Sequence, residues 1–81
     1  MRVTLADMQP GQEGIIVELG SGWRFRQRLD AMGIRLGAKV TKASGPYMRG
    51  PVTVRAGGTH IAMGYRMAQR VVVSVDERPA R

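Results

Sequence analysis

His60 is the only histidine in this chain, and cysteine is absent. Those two facts remove most protein chemistry at the outset. Without cysteine there is no thiol nucleophile, no disulfide and no thiolate zinc site. A general base needs a partner that orients it, and a hard-metal site needs clustered oxygen ligands. The acids are Asp7, Glu13, Glu18, Asp30, Asp76 and Glu77, and only the last two are adjacent. One histidine also cannot supply the converging imidazole and carboxylate set that ferrous iron favours. Gly20-Ser21-Gly22 precedes a helical pattern, and helix starts attract anions. The run lacks the Gly-Lys-Ser/Thr ending of a phosphate loop and reads as a turn. The sequence therefore predicts no catalytic residue, no metal ligand and no cofactor.

Binding chemistry is better represented. Lysine and arginine total 13 against 6 acids, a net charge of +7. Such a balance favours anionic partners, whether nucleic acid, an acidic protein face or anionic lipid. Arg24, Arg26 and Arg28 recur within one short segment, and Trp23 stands at its start. The segment reads either as a contact face for an acidic partner or as a solvated helix side. Tyr47, Met48 and Arg49 form a second cluster, framed by Gly45-Pro46 and Gly50-Pro51. Methionine adapts to irregular surfaces and tyrosine is favoured at interfaces. The same two side chains could instead fold back and cap one end of a small core.

The elements that must hold these residues follow from periodicity. Glu13 to Leu19 alternates as a strand, with Ile15, Val17 and Leu19 on one face and Gly14, Ile16 and Glu18 on the other. Phe25, Leu29 and Met32 then recur at helical spacing over 24–32. Ser21 is the expected N-cap, Gly33 the C′ residue, and Ile34 the C″ residue packing on Leu29. The three arginines fall off this apolar stripe. A second strand is expected over 39–43, anchored by Val40, and a loop over 44–51. Strands over 52–55 and 59–63 make a hairpin whose Gly57-Gly58 suits a primed turn. His60 lies on the face opposite Ile61 and Met63. A single helical turn over 64–69 and a closing strand over 71–75 complete the pattern. Residues 3–12 read as an entry segment, with Leu5 and Met8 spaced three apart and a turn at Pro10-Gly11. The other methionines, Met32, Met63 and Met67, read as core filler.

One domain fits in 81 residues. A chain of this size buries only about 60% of its unfolded surface, which leaves little room for a deep pocket. Residues 1–75 are assigned to that domain and 76–81 to a flexible tail. The fold class is mainly β, with frequent turns from 11 glycines and 4 prolines and one short helix inserted after the first long strand. Short strands at this spacing favour a small barrel or sandwich. The longest apolar run is Val71-Val72-Val73, far below the roughly 20 residues of a membrane helix. No apolar h-region follows the N-terminus, and the missing disulfides fit a reducing compartment. The expected location is cytoplasmic.

The order of residues also resembles a known family. Gly14-Ile15-Ile16, Arg28-Leu29-Asp30-Ala31-Met32-Gly33-Ile34-Arg35-Leu36-Gly37, Gly50-Pro51-Val52 and Ile61-Ala62-Met63 follow one another before Ala68 and the terminal valine strand. This ordered set is similar to the FeoA family, over about residues 3–75. The family often has proline where Leu36 stands, and a basic pair member where Met63-Gly64 stands. The resemblance implies an SH3-like barrel, a fold it shares with the C-terminal domain of iron-dependent repressors. It also implies a non-enzymatic accessory of ferrous-iron uptake, acting on the cytosolic GTP-binding domain of a membrane permease. The expected contact surface is Arg24, Arg26 and Arg28 with Tyr47, Met48 and Arg49. The alternative is a basic barrel that binds nucleic acid or regulates, for which Trp23 is the one free aromatic near the charge.

Overall fold

The computed structural model describes residues 1–44 and 50–75. The expected loop contacts Tyr47, Met48 and Arg49, and the expected tail 76–81, lie outside the described residues. Eight elements follow one another: β1 (Arg2–Thr4), β2 (Glu13–Glu18), α1 (Trp23–Ala31), β3 (Lys39–Ser44), β4 (Val52–Ala56), β5 (Thr59–Met63), α2 (Tyr65–Gln69) and β6 (Val72–Val75). The strands make one antiparallel sheet in the order β1-β6-β2-β3-β4-β5. The mainly β class and the helix inserted after the first long strand are as expected.

The hairpin pairs Val52 with Met63, Val54 with Ile61 and Ala56 with Thr59. Its two-residue turn places Gly57 and Gly58 at φ 58° and 84°, the primed-turn geometry that matches strand twist. Valine, isoleucine and methionine from this hairpin point inward. They meet Leu5, Met8, Ile16, Leu29, Ile34, Val40, Val71, Val73 and Val75 in one core. At about 25 cal/mol per Å² of apolar surface, this shared burial is the main force holding so small a sheet.

Helix α1 ends as its sequence predicts. Gly33 takes φ +88°, Gly33 N–H donates to the Asp30 carbonyl, and Ile34 N–H donates to the Leu29 carbonyl. That is the Schellman pair, and Leu29 and Ile34 are both fully buried. The start differs. The N-cap residue is Gly22 and no side chain caps the first turn. The Arg70 guanidinium, just after α2, donates instead to the Ser21 carbonyl. The same group lies over the Phe25 ring, 3.8 Å from its centroid. A cation from the far end of the chain thus ties down the helix entry.

Two further points depart from the periodicity. The entry segment contains a real strand, β1, paired with β6 through Arg2–Ser74, Val3–Val73 and Thr4–Val72. Three residues are too few for alternation to register. In β2, the inward face carries Gly14 and Ile16, while Ile15 is 42% exposed. Ile16, 1% exposed, supplies the buried side chain of this face, and Gly14 beside it is closely approached. A Cβ there would stand 2.3 Å from Val73 Cγ1 and 2.7 Å from the Ser74 carbonyl oxygen. β6, the sheet neighbour of β2, therefore approaches Gly14 too closely for a side chain.

Candidate partner-binding surface

Helix α1 holds the predicted arginines. Its buried row is Leu29, with Phe25 and Met32 half-buried against the core. Successive helical residues turn by about 100°, so the exposed residues divide between two flanks of that row. Arg24, Arg28 and Ala31 fall on one flank. Trp23, Arg26, Gln27 and Asp30 fall on the other. The three arginines therefore do not form a single stripe. All three are exposed, and among the described residues no ion pair engages them. Asp30 is the one acid on α1, and it is already paired with Arg35 at 3.1 Å.

The Arg28 flank borders an apolar groove. Arg28, Ala31 and Met32 form one wall, and Ala62, Met63, Gly64 and Met67 form the other. Met63 is 5% exposed and forms the floor, while Met32 and Met67 are half-buried. Two of the expected core methionines thus present part of their surface to solvent. Gly50 and Pro51, the last residues of the predicted 44–51 loop, border an adjoining depression with Ala62, Met63, Gly64 and Tyr65. The described end of that loop and the Arg28 flank therefore converge on one stretch, Ala62–Gly64. On the opposite flank, Trp23, Arg26, Gln27 and Asp30 surround a second depression with Leu19 and Leu36.

His60 lies exposed on β5, in a shallow hollow with Thr59, Asp30 and Arg35. Asp30, the acid lining that hollow, is already paired with Arg35. Among the described residues no three histidines or acids approach closely enough to hold a metal ion. No helix among them is long and apolar enough to cross a membrane.

Lys42 is a buried charge that residue-type reasoning passed over. It is 1% exposed. Its Nζ donates to the Leu5 and Met8 carbonyls at 2.7 Å each and to the Ala6 carbonyl at 3.3 Å. Burial pushes this ammonium below the ordinary lysine value of 10.5, and the Asp7 carboxylate opposes that shift. Period-two alternation from Val40 would have flagged it, because Lys42 shares the inward face of β3. Three donors meeting three buried carbonyls is a structural arrangement that pins the entry turn, not a reactive one.

Comparison with known proteins identifies the family and the fold. The FeoA domain family matches residues 3–75. A relative from Methanocaldococcus jannaschii, "Putative Fe(2+) transport protein A", is 33% identical over 69 residues, covering 85% of this chain and 82% of its own. The crystal structure of an iron uptake regulatory protein (FeoA) superposes with a TM-score of 0.87 at 36% identity, covering 93% of this chain and 99% of that one. A manganese-dependent transcriptional repressor matches at TM-score 0.83 and 16% identity, over 91% of this chain and 41% of the repressor. That last likeness shows the SH3-like fold alone. With nearly the whole chain matched in sequence and in structure, this protein belongs to the FeoA domain family.

Proposed function

We propose that this chain is a cytoplasmic accessory of ferrous-iron uptake, acting as a protein-interaction module on the cytosolic GTP-binding domain of a membrane ferrous-iron permease. Family membership supports the iron-uptake role. The observation that carries the mode of action is the groove of Met32, Met63 and Met67 with Arg28 on its rim. Adaptable thioether side chains beside an unpaired guanidinium suit an apolar segment that carries an acid. Arg24 stands one turn before Arg28 on the same flank and extends the positive rim. Tyr47, Met48 and Arg49 directly precede Gly50 in sequence, and Gly50 borders the adjoining depression, so they are kept as candidate contacts. Arg26 stands on the other flank and is not assigned to this interface.

The reading gives the chain no catalytic step and no bound cofactor. In this reading iron is the cargo of the partner system, and no residue of this chain is assigned to it. The test is calorimetric titration of the chain into the permease's cytosolic domain, repeated with Arg24→Glu/Arg28→Glu. Saturable binding that the double variant weakens at least tenfold supports the reading. Absence of binding, together with unchanged iron uptake after deletion of the gene, overturns it.

A further inference from the structure

The second flank of α1 has a different character. Trp23 is 67% exposed and Leu36 is 51% exposed. Both border the depression that Arg26, Gln27, Asp30 and half-buried Leu19 also line. An indole and an isobutyl group left in water side by side are costly, because each forfeits about half or more of its burial free energy. Their surroundings are cationic. Arg26 has no ion-pair partner among the described residues, and the Asp30 carboxylate is held by Arg35. The chain as a whole carries +7.

We propose that this Trp23–Leu36 flank docks on the surface of an anionic lipid bilayer. Tryptophan concentrates at membrane–water interfaces, where its ring is apolar and its N–H stays wet. Leucine adds apolar burial at the acyl boundary, and arginine meets lipid phosphate. Each basic residue near such a surface strengthens binding. Leu36 separates this occupant from a soluble polyanion, because a nucleic acid or a polyglutamate chain offers it no apolar phase. The flank faces away from the methionine groove, so lipid and protein contacts do not compete. The inference stands independently of the permease reading, because its test contains no permease.

Trp23 is the only tryptophan, so its emission reports on this flank alone. The full chain is titrated with vesicles of phosphatidylcholine, or of equal parts phosphatidylcholine and phosphatidylglycerol, with co-sedimentation in parallel. The expected result is a blue shift and sedimentation with the anionic vesicles, little with the zwitterionic ones, and release by salt. Arg26→Ser should weaken partitioning about fivefold, the usual worth of one basic residue at an anionic surface. Leu36→Ser should weaken it by a similar factor, and circular dichroism checks both folds. Arg55→Ser, an exposed arginine on β4, controls for net charge. No blue shift with anionic vesicles overturns the proposal. An equal shift with polyglutamate or an oligonucleotide overturns it in favour of a soluble polyanion. Equal losses from Arg26→Ser and Arg55→Ser overturn the assignment to this flank.

Discussion

Replacing Lys42 with methionine keeps the stem length and removes only the ammonium. In the wild-type protein that ammonium serves the carbonyls of Leu5, Ala6 and Met8, residues that are each at most 4% exposed. The substitution leaves three acceptors facing a thioether and methyl group that cannot donate. A hydrogen bond to a charged group contributes about 1.5–3 kcal/mol, and an orphaned buried acceptor costs about 1–3 kcal/mol. These terms overlap, and two of the three contacts are short. Three orphaned acceptors at that cost, less the relief of the ammonium's own burial, give a net loss of about 3–5 kcal/mol. An 81-residue domain has in all about 4–12 kcal/mol to lose. At about 4–8 °C per kcal/mol, Lys42→Met should lower the melting temperature by at least about 12 °C. Thermal melts followed by circular dichroism decide the matter. A drop of less than about 5 °C would refute the claim that the ammonium holds the entry turn.

The pH dependence carries an independent sign. The folded-state pKa of Lys42 lies below its unfolded value of 10.5, chiefly through burial. Between those two values the unfolded chain binds more protons than the folded one, so stability rises with pH across that window. Lys42→Met lacks this term. The stability gap between wild type and variant should therefore widen as pH climbs toward 10.5, as measured by urea denaturation at stepped pH. A gap that stays flat over that window and narrows above pH 10.5 would show that the folded-state pKa is raised instead.

Three other outcomes follow from the same geometry. Gly14→Ala should cost about 1–3 kcal/mol by overpacking, because its methyl would meet Val73 Cγ1 and the Ser74 carbonyl oxygen; urea denaturation reads this directly. Gly33→Ala forces a side chain into φ +88° and should cost about 1–2 kcal/mol in the same assay. Filter binding to duplex DNA should give a log–log salt slope no steeper than about −2, because only Arg24 and Arg28 share a flank of α1; a slope near −5 would revive the nucleic-acid reading.

Much of the fold is visible in residue order because turns and caps are local. Gly33 and Ile34 announce the end of α1, and Gly57-Gly58 announces the hairpin; each depends on neighbours a few positions away. What the order conceals is set across the sheet. β1 becomes a strand because β6 offers it a ladder. Position 14 admits only glycine because Val73 and Ser74 leave no room for a Cβ, and burial of Ile16 turns this face of β2 inward. The helix entry is closed by Arg70, 49 positions from Ser21, where local reasoning expects a serine cap. Lys42 is concealed by its type, since a lysine is presumed to be solvated unless its register is followed inward.

The binding surface divides along the same line. That Arg24, Arg26 and Arg28 are exposed and lack partners follows from the apolar stripe of the helix. That they serve two different surfaces follows from which elements flank α1. Met63 and Met67 come alongside Arg28 because β5 and α2 are adjacent in sequence and pack beside the helix. Leu36 comes alongside Arg26 and Trp23 because the Schellman turn at Gly33 folds the chain back over the helix's other side. The same local signal that ends the helix thus creates its second surface. A change at Gly33 should consequently disturb the Trp23 flank more than the methionine groove. If Gly33→Ala left Trp23 emission and its anionic-vesicle shift unchanged while weakening groove binding, the turn could not be what builds that flank.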